Sequence, residues 1–222
     1  MKDLVFFDIE TNGISDFSTM SDLKEIHCAC LIDSDGEHRY RADNINEFLE
    51  RLQIADRICG HNIIGFDYPA LQKLFRFQHD GLVDTLILSR LGYPDIRNDD
   101  FARRNMPKDL AGSHSLKAWG IRIGINKSAY GETSDWSEWS QEMEDYCMQD
   151  VVVTKNLYDY MVRQEVLTPT AARLEHDFAI AIRQQEMNGF PFDVAAAEAL
   201  TAKLMARRAE LDDELKAVFK PT

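Results

Sequence analysis

The chain has 222 residues, of which 45% are hydrophobic and 28% are charged. This length and composition are typical of a water-soluble globular protein with one ample core and a smaller addition. The 25 basic residues stand against 38 acidic ones and give a formal net charge of -13. This acidity argues at first sight against binding to nucleic acid or an anionic membrane through a broad basic surface.

Apolar runs in the sequence are short. The longest cover residues 4–7 and 28–32, far below the roughly 18 residues that a membrane span needs, and no cleavable signal precedes Asp8. We therefore expect a cytoplasmic protein without a membrane partner. Cysteines are sparse apart from one Cys-x-Cys pair in an apolar run, which favours buried reduced thiols over a zinc site or a disulfide framework. The four are Cys28, Cys30, Cys59 and Cys147.

The beginning of the chain predicts an antiparallel meander. Residues 2–8 read as a buried strand and residues 25–32 as a second strand. Asp35-Gly36 predicts a hairpin turn that leads into a third strand at residues 38–41.

Helices alternate with one more short strand in the middle of the chain. The long helix at residues 140–162 has apolar side chains near helical spacing, so one face should pack on the sheet. Its apolar positions are Met143, Cys147, Val151, Leu157 and Met161. The other predicted helices cover residues 45–52, 68–75, 84–91 and 115–119, and the fourth strand covers residues 57–60.

The sequence pattern changes at Thr168-Pro169, and beyond it only helices are predicted. One amphipathic helix covers residues 171–187, and a second runs from the capping Asp193 to about Phe219. We expect this helical hairpin to be structural and to bury two apolar stripes. The stripes are Leu174, Phe178 and Ala181, and Ala197, Leu200, Leu204, Leu211 and Leu215.

Charge is unevenly distributed along the chain. Residues 97–127 carry seven basic and three acidic side chains, a local balance of +4, whereas residues 128–150 carry seven acids and neither Lys nor Arg. Such neighbouring segments are most often solvated surface, but they form a binding edge if the acids hold a metal ion.

Asp8-Ile9-Glu10 carries the first candidate chemistry. Residues two apart on a strand share a face, so a metal ion can sit between the carboxylates of Asp8 and Glu10. Burying two acids at the end of an apolar strand is costly without a cation. The alternative is a strand end that simply reaches solvent.

Two further motifs follow the same logic. Asp67 ends the segment at residues 61–67, between a strand and a helix, where an Asp also serves commonly as a helix cap. Tyr146 and Asp150 are four residues apart, so they share one face of the predicted long helix. Each motif is weak alone, but three at suitable spacing make one strong signal.

In this order, Asp8, Glu10, Asp67, Tyr146 and Asp150 resemble the DEDD pattern, in its tyrosine variant, of proofreading 3′→5′ exonucleases. Longer segments are similar to the exonuclease domain of family A DNA polymerases from short-tailed bacteriophages of the T-seven type. These segments are residues 84–91, 112–120, 149–155 and 188–193. The resemblance covers nearly the whole chain, including the helical hairpin, which in the family leads into the polymerase thumb.

The resemblance implies an α/β, ribonuclease-H-like 3′–5′ exonuclease fold, with a mixed five-stranded sheet flanked by helices and a C-terminal helical hairpin. It implies an exonuclease domain at residues 1–168 and the hairpin at residues 169–222. Nothing after Phe219 corresponds to thumb, palm or fingers, so we expect no polymerase activity in these residues. A fragment of a polymerase and a free-standing exonuclease both stay open, as does the oligomeric state. A phage-encoded chain would act in the cytoplasm of the bacterial host.

The resemblance also implies two divalent metal ions, Mg²⁺ with Mn²⁺ as a substitute, since all-oxygen ligation favours such hard ions. Asp8 would bridge both ions, Glu10 and Asp150 would complete the site of the ion that activates water, and Asp67 would hold the second ion, largely through water. Tyr146 would orient the attacking water rather than act as a base, because a phenol with a pKa of about 10 stays protonated at neutral pH.

Candidate substrate-binding residues flank the acids. They are Thr11, Asn12, His61, Asn62 and Phe66. The first two follow the carboxylate pair, the next two lie at the rim, and the phenylalanine either supports substrate or packs in the core. His114 is more commonly a local hydrogen-bonding residue than a ligand. The expected partners are single-stranded DNA 3′ ends, bound with slight sequence preference, and a polymerase module in cis or in trans.

Two other functions stay open. One is a free-standing DEDD exonuclease that acts on RNA, and the other is a catalytically inactive exonuclease-like module that serves as an interaction scaffold. The intact carboxylate set argues against the scaffold.

Overall fold

The computed structural model describes residues 4–15, 19–125 and 136–219. Lys127 and the first part of the acidic segment therefore lie outside the described residues. The chain separates into two compact units, Met1–Met187 and Asn188–Thr222. The domain boundary predicted at residue 168 from the change of sequence pattern stays a prediction. Within the described ranges, none of the helices combines the length and the apolar character that crossing a bilayer requires.

A mixed five-stranded sheet lies in the first unit. Its strands are β1 (Leu4–Thr11), β2 (Ile26–Asp33), β3 (Gly36–Arg41), β4 (Arg57–Gly60) and β5 (Leu82–Asp84). They are ordered β3-β2-β1-β4-β5, with β1, β2 and β3 antiparallel and with β4 and β5 parallel to β1. The meander and the mixed sheet are confirmed. The sequence pattern missed β5, because three residues are too few to show an alternation.

The described residues contain eight helices. They are α1 (Ile45–Ile54), α2 (Asp67–Phe75), α3 (Thr85–Gly92), α4 (Ile96–Phe101), α5 (Leu116–Ile123), α6 (Gln141–Arg163), α7 (Pro169–Asn188) and α8 (Val194–Phe219). Helix α4 was not predicted, because its six residues are mostly polar and give no apolar stripe. The hydroxyls of Ser115 and Ser140 accept the backbone N–H groups of Ala118 and Met143, which fixes where α5 and α6 begin.

The alternation of β1 assigns its side chains to two cores. Phe7 and Ile9 belong to the core that α1 and α2 cover, while Phe6 belongs to the core under α3, α5 and α6. Since successive side chains of a strand point to opposite faces, Asp8 and Glu10 share the face of Phe6. Both carboxylates are therefore directed to the side of the sheet that α6 covers.

Helix α6 packs on this second face as its periodicity predicts. Each of the five apolar positions that the sequence singled out is fully buried, namely Met143, Cys147, Val151, Leu157 and Met161. Their burial sets the rotation of the helix. It also brings Tyr146 and Asp150, which flank Cys147 and Val151, to the same side of the sheet as the carboxylates of β1.

All four cysteines are free and buried, as predicted. Cys28 and Cys30 lie opposite Glu10 and Asp8 in the register between β1 and β2. The Sγ of Cys147 donates to the backbone oxygen of Asp8 at 3.4 Å. Burial raises the pKa of the Cys147 thiol, and the thiols of Cys28 and Cys30 raise it further. Three buried cysteine side chains thus lie behind the acidic end of β1.

The expected burial of apolar stripes in the last two helices is wrong. The residues of those stripes are exposed, apart from half-buried Ala197, namely Leu174, Phe178, Ala181, Leu200, Leu204, Leu211 and Leu215. A helix can bury an apolar face only against another element, and α8 buries none of its residues.

The buried face of α7 is not the predicted apolar stripe, and it carries a hydrogen-bonded histidine. Its buried residues are His176 and Arg183. The Nε2 of His176 accepts the backbone N–H of Asp84 at 2.8 Å, and its Nδ1 donates to the oxygen of Ala172 at 2.7 Å. Helix α7 is therefore tied to the end of β5.

A buried ion pair joins α4 to α5. The Nη2 and Nε atoms of Arg122 lie 2.6 and 3.0 Å from the carboxylate of Asp100, which also accepts the N–H of Gly112 at 2.8 Å. Both side chains are at most 2% exposed. Burial alone would raise the pKa of Asp100, but the hydrogen bonds and charge of Arg122 outweigh burial and hold this pKa below its usual range.

We expect Asp100→Ala to lower the free energy of unfolding by about 3–5 kcal/mol at pH 7, because it leaves the Arg122 charge buried without its partner. A pKa that folding lowers contributes stability above the unfolded value, and this contribution is lost as the pH falls through the folded value. The difference between wild type and variant should therefore shrink below about pH 4. Urea unfolding of wild type and variant, at pH 7 and at a pH below about 4, measures this difference. Asp99→Ala, an exposed neighbour, is the control, and an equal loss there would contradict the assignment.

Candidate active site

The carboxyl ends of three strands meet at one edge of the sheet. Strands β4 and β5 run parallel to β1, and such edges commonly hold ligands in open α/β sheets. Asp8 and Glu10 lie at the end of β1, His61 follows β4, and Asp84 ends β5. The parallel arrangement therefore brings residues from distant parts of the chain to one place.

The end of β1 presents two carboxylates side by side. Its pairing with β2 is irregular between Glu10 and Thr11, and such bulges re-aim side chains next to functional sites. Ligand atoms of Asp8, Glu10 and Cys147 all lie within 4.8 Å of one another. Asp67 and Asp150 are not part of this tight set.

Asp67 is the first residue of α2, with Phe66 at the capping position, so the alternative of a helix-capping aspartate does not hold. Its side chain is buried. Burial raises the pKa of Asp67 to about 7, and the charges of Asp84 and Asp150 raise it as well, against backbone hydrogen bonds from Asp67 itself and Ile9. Asp67 therefore lies against β1 and feels the charge of Asp150.

Asp150 and Tyr146 reach the site from α6. Asp150 is buried and Tyr146 half-buried. The ring of Trp136 packs edge to face against the phenol ring, with centroids 6.1 Å apart at 73°. The backbone oxygen of Trp136 in turn lies 3.1 Å from Nε2 of His27 on β2. Packing against Trp136 thus holds the phenol ring of Tyr146 in place.

The donor set fits divalent ions that prefer oxygen ligands. Acids at this edge come from β1, α2 and α6, and the raised pKa of Asp67 reports crowded negative charge in a buried place. A cation among the carboxylates would offset both burial and repulsion. Cys147 stays a thiol, because burial raises its pKa and its Sγ donates to Asp8, so it does not favour a soft ion.

A cleft of about 490 Å³ opens beside these acids. Asp8, Asp150, His61 and Asn62 line it, together with Arg90 and the segment at residues 113–115. Four of the residues that the sequence singled out are therefore in one cleft. Arg90 and the two serines of the segment escaped sequence reasoning, since a single arginine or serine carries no spacing signal.

A hydrogen bond to Thr85 fixes the ring of His61, which lines the cleft. The Thr85 hydroxyl donates to the Gly60 carbonyl at 3.1 Å, so its oxygen accepts from Nδ1 of His61 at 2.9 Å. Nδ1 of His61 therefore acts as the donor to Thr85.

His114 makes the local hydrogen bond that the sequence predicts. The Ser89 hydroxyl donates to the Leu86 carbonyl at 2.9 Å and accepts from Nδ1 of His114 at 3.0 Å. His114 also lines the cleft. Burial lowers its pKa, and so do the charges of Arg122 and Arg90, so the ring is neutral at pH 7.

Asp84 organises the loop between His61 and Asp67. Its carboxylate accepts the N–H groups of Asn62, Ile64 and Leu86 at 2.8, 3.1 and 2.9 Å. Asn62 has a φ of 67°, a left-handed conformation that Asn tolerates better than most residues. The sequence missed this role, and its one signal is an Asp at the start of the predicted helix at residues 84–91.

Three predicted substrate residues lie apart from the cleft lining. The Thr11 hydroxyl donates to the Asn12 carbonyl at 3.0 Å. The Asn12 amide accepts the N–H of Lys24 at 2.8 Å and donates to the Asp22 carbonyl at 2.9 Å, so it holds its own loop together. Phe66 packs partly buried against the first core. Their contact with substrate stays a prediction.

We expect Asp84→Asn to lower the free energy of unfolding by about 1–3 kcal/mol, because an amide nitrogen would face N–H groups that the carboxylate now accepts. The Asn62 and Ile64 amide protons should exchange faster with solvent, as NMR can measure. Asp80→Asn, an exposed site on the same segment, is the control. Unchanged exchange at both amides would show that Asp84 does not order this loop.

Comparison with known proteins agrees with this geometry. Residues 5–162 match RNase_H_2, a family of the RNase_H superfamily. The DNA-directed DNA polymerase of Enterobacteria phage T3 is 32% identical to this chain and aligns with 96% of it. The DNA-directed DNA polymerase of Escherichia phage T7 is 31% identical and aligns with 97%. The chain spans only 36% and 37% of their lengths. The similarity to phage polymerases that the sequence motifs predict is confirmed.

Two solved structures show the same fold. Brucella melitensis NrnC has a TM-score of 0.59 at 18% identity, over 86% of this chain and 88% of that one. Escherichia coli RNase D, an exoribonuclease involved in structured RNA processing, has a TM-score of 0.50 at 14% identity, over 82% and 45%. With its mixed sheet, its acidic edge and its match over most of its length, the chain belongs to the RNase_H_2 family of the RNase_H superfamily.

Proposed function

We propose that the chain is a metal-dependent 3′→5′ exonuclease that hydrolyses single-stranded DNA ends to nucleoside monophosphates. The observation that carries the proposal is the meeting of acids from β1, α2 and α6 at one sheet edge, beside a cleft that also contains a cationic side chain. The similarity to two phage DNA polymerases favours DNA as the substrate.

Asp8, Glu10, Asp67 and Asp150 are the residues that would hold two divalent ions, Mg²⁺ or Mn²⁺. Such ions, when bound, neutralise charge that develops on the attacking and leaving oxygens of a phosphodiester. The remaining catalytic contributions come from side chains that orient water and substrate.

Tyr146 would donate a hydrogen bond that orients the attacking water, since Trp136 holds its ring edge to face. His61 and Asn62 both line the cleft, and Asn62 is exposed there. Both would contact the terminal nucleotide, while Arg90 would attract its phosphate. Thr11, Asn12 and Phe66 would contact substrate from outside the cleft.

The chain would serve as a proofreading module that acts with a polymerase in cis or in trans. Its similarity to a little over a third of each phage polymerase supports this role. The other candidate is an exonuclease that acts on RNA, which the fold shared with RNase D favours. Degradation of 3′-labelled DNA and RNA oligonucleotides side by side separates the two.

We expect Asp8→Ala, alone or with Glu10→Ala, to reduce nuclease activity in Mg²⁺ to less than about a tenth of wild type, because it removes central metal ligands. The same changes should abolish the rise in Tm that Mg²⁺ gives the wild type, a linkage effect independent of turnover. In the wild type, EDTA should abolish both the nuclease activity and the rise in Tm that Mg²⁺ gives. Asp43→Ala, at an exposed acid, is the matched control. More than a tenth of wild-type activity in Asp8→Ala would refute the metal assignment.

We expect Tyr146→Phe to lower the rate about tenfold, less than the roughly 10²–10⁴-fold contribution of a general acid or base, because the phenol orients water without taking its proton. Single-turnover hydrolysis of a labelled oligonucleotide measures the rate. Tyr158→Phe, on the same helix and in contact with Phe6, is the control. Complete loss of activity would mean that proton transfer by Tyr146 is obligatory.

A further inference from the structure

Helix α4 is fixed to the wall of the cleft. Asp100 of α4 accepts the N–H of Gly112, which directly precedes the cleft-lining segment at residues 113–115. Arg97 packs against the same glycine so closely that a β-carbon there would lie 2.9 Å from its Cβ. The surface of α4 therefore continues the wall of the cleft.

This surface combines cations with an exposed aromatic ring. Phe101 is 68% exposed, and the Arg97 guanidinium carbon lies 5.7 Å from the centre of its ring. Arg103, Arg104 and Lys108 follow within seven residues, and all three are exposed. We define Arg97, Phe101, Arg103, Arg104 and Lys108 as the basic platform.

The platform carries a small local excess of positive charge. Arg103 lies 4.0 Å from Asp100, whose main partner is Arg122. Asp95, Asp99 and Asp109 are the exposed acids around the platform, so its four cations exceed these acids by one. The whole chain carries -13 and repels a polyanion elsewhere. A net positive surface in such a protein is therefore selective for an anionic partner at this place.

We propose that the basic platform binds the single-stranded nucleic acid that enters the cleft, through its backbone phosphates and through one base stacked on Phe101. Single-strand binding surfaces combine a cationic track with exposed aromatic rings, which are the two features present. The inference rests on the proposed function in one respect, namely that the cleft takes a nucleic-acid end. Because Arg97 packs against Gly112, which directly precedes the lining segment, the platform borders the cleft.

Two variants of the platform separate its charge from its ring. Arg104→Glu with Lys108→Glu reverses two exposed cations, and Phe101→Ala removes the ring. Arg57→Glu with Arg163→Glu makes the same change in net charge at exposed residues of β4 and α6 outside the platform. Binding of a fluorescent oligothymidylate of about 20 nucleotides is measured in EDTA across salt concentrations. Hydrolysis of the p-nitrophenyl ester of thymidine 5′-monophosphate, which fills only the cleft, is measured in Mg²⁺.

The double charge reversal should weaken oligonucleotide binding and reduce the slope of log Kd against log salt by about 1.4, because each lost phosphate contact removes about 0.7. Phe101→Ala should weaken binding about tenfold with an unchanged slope. Hydrolysis of the small ester should stay at the wild-type rate in both variants, and the control variant should keep the wild-type slope.

Unchanged oligonucleotide affinity and slope in both platform variants would overturn the inference and assign the surface to a protein partner, even in an active nuclease. An equal loss in the control variant, or a parallel loss of ester hydrolysis, would overturn it too. Selective loss of oligonucleotide binding in a chain that hydrolyses neither substrate would support the platform while the proposed function fails.

Discussion

Repulsion among acids at one sheet edge is the constraint on which the rest of the structure depends. Asp8 and Glu10 come from β1, and Asp67 and Asp150 come from α2 and α6. Burial and mutual charge oppose their ionisation, as the pKa of about 7 for Asp67 shows. The packing of α6 and neutral thiols behind β1 hold these groups together. An edge that is preorganised in this way stabilises a cation and the charge that develops near it.

The features that the sequence predicted are those in which one local pattern has one structural outcome. The apolar run at residues 4–7 predicted a strand, the two-residue spacing predicted a shared face for Asp8 and Glu10, and the structure has both. The spacing of apolar residues in α6 predicted its buried face, which carries Asp150 and Tyr146 to the sheet. The order of these motifs then sufficed to identify the family.

The features that escaped prediction depend on partners distant in sequence. In the sequence, Asp84 indicates only the start of a helix. Two of its hydrogen-bond donors, the N–H groups of Asn62 and Ile64, are about twenty residues away, so no local pattern shows them. The stripes of α7 and α8 show which face could be buried, but not what would cover it. Strand β5 and helix α4 are too short or too polar for periodicity to indicate either element.

The hydrogen bond between His176 and Asp84 makes α7 part of the frame around the cleft. The N–H of Asp84 donates to His176 of α7, and its carboxylate accepts the N–H of Asn62. Asp84 therefore joins α7 to the loop that lines the cleft. A chain that ended at residue 168 would retain all four acids, yet it would leave this buried N–H without its imidazole partner. The smallest unit with an intact cleft therefore includes α7. A displacement of that helix would reach the cleft through two hydrogen bonds, one between His176 and Asp84 and one between Asp84 and Asn62.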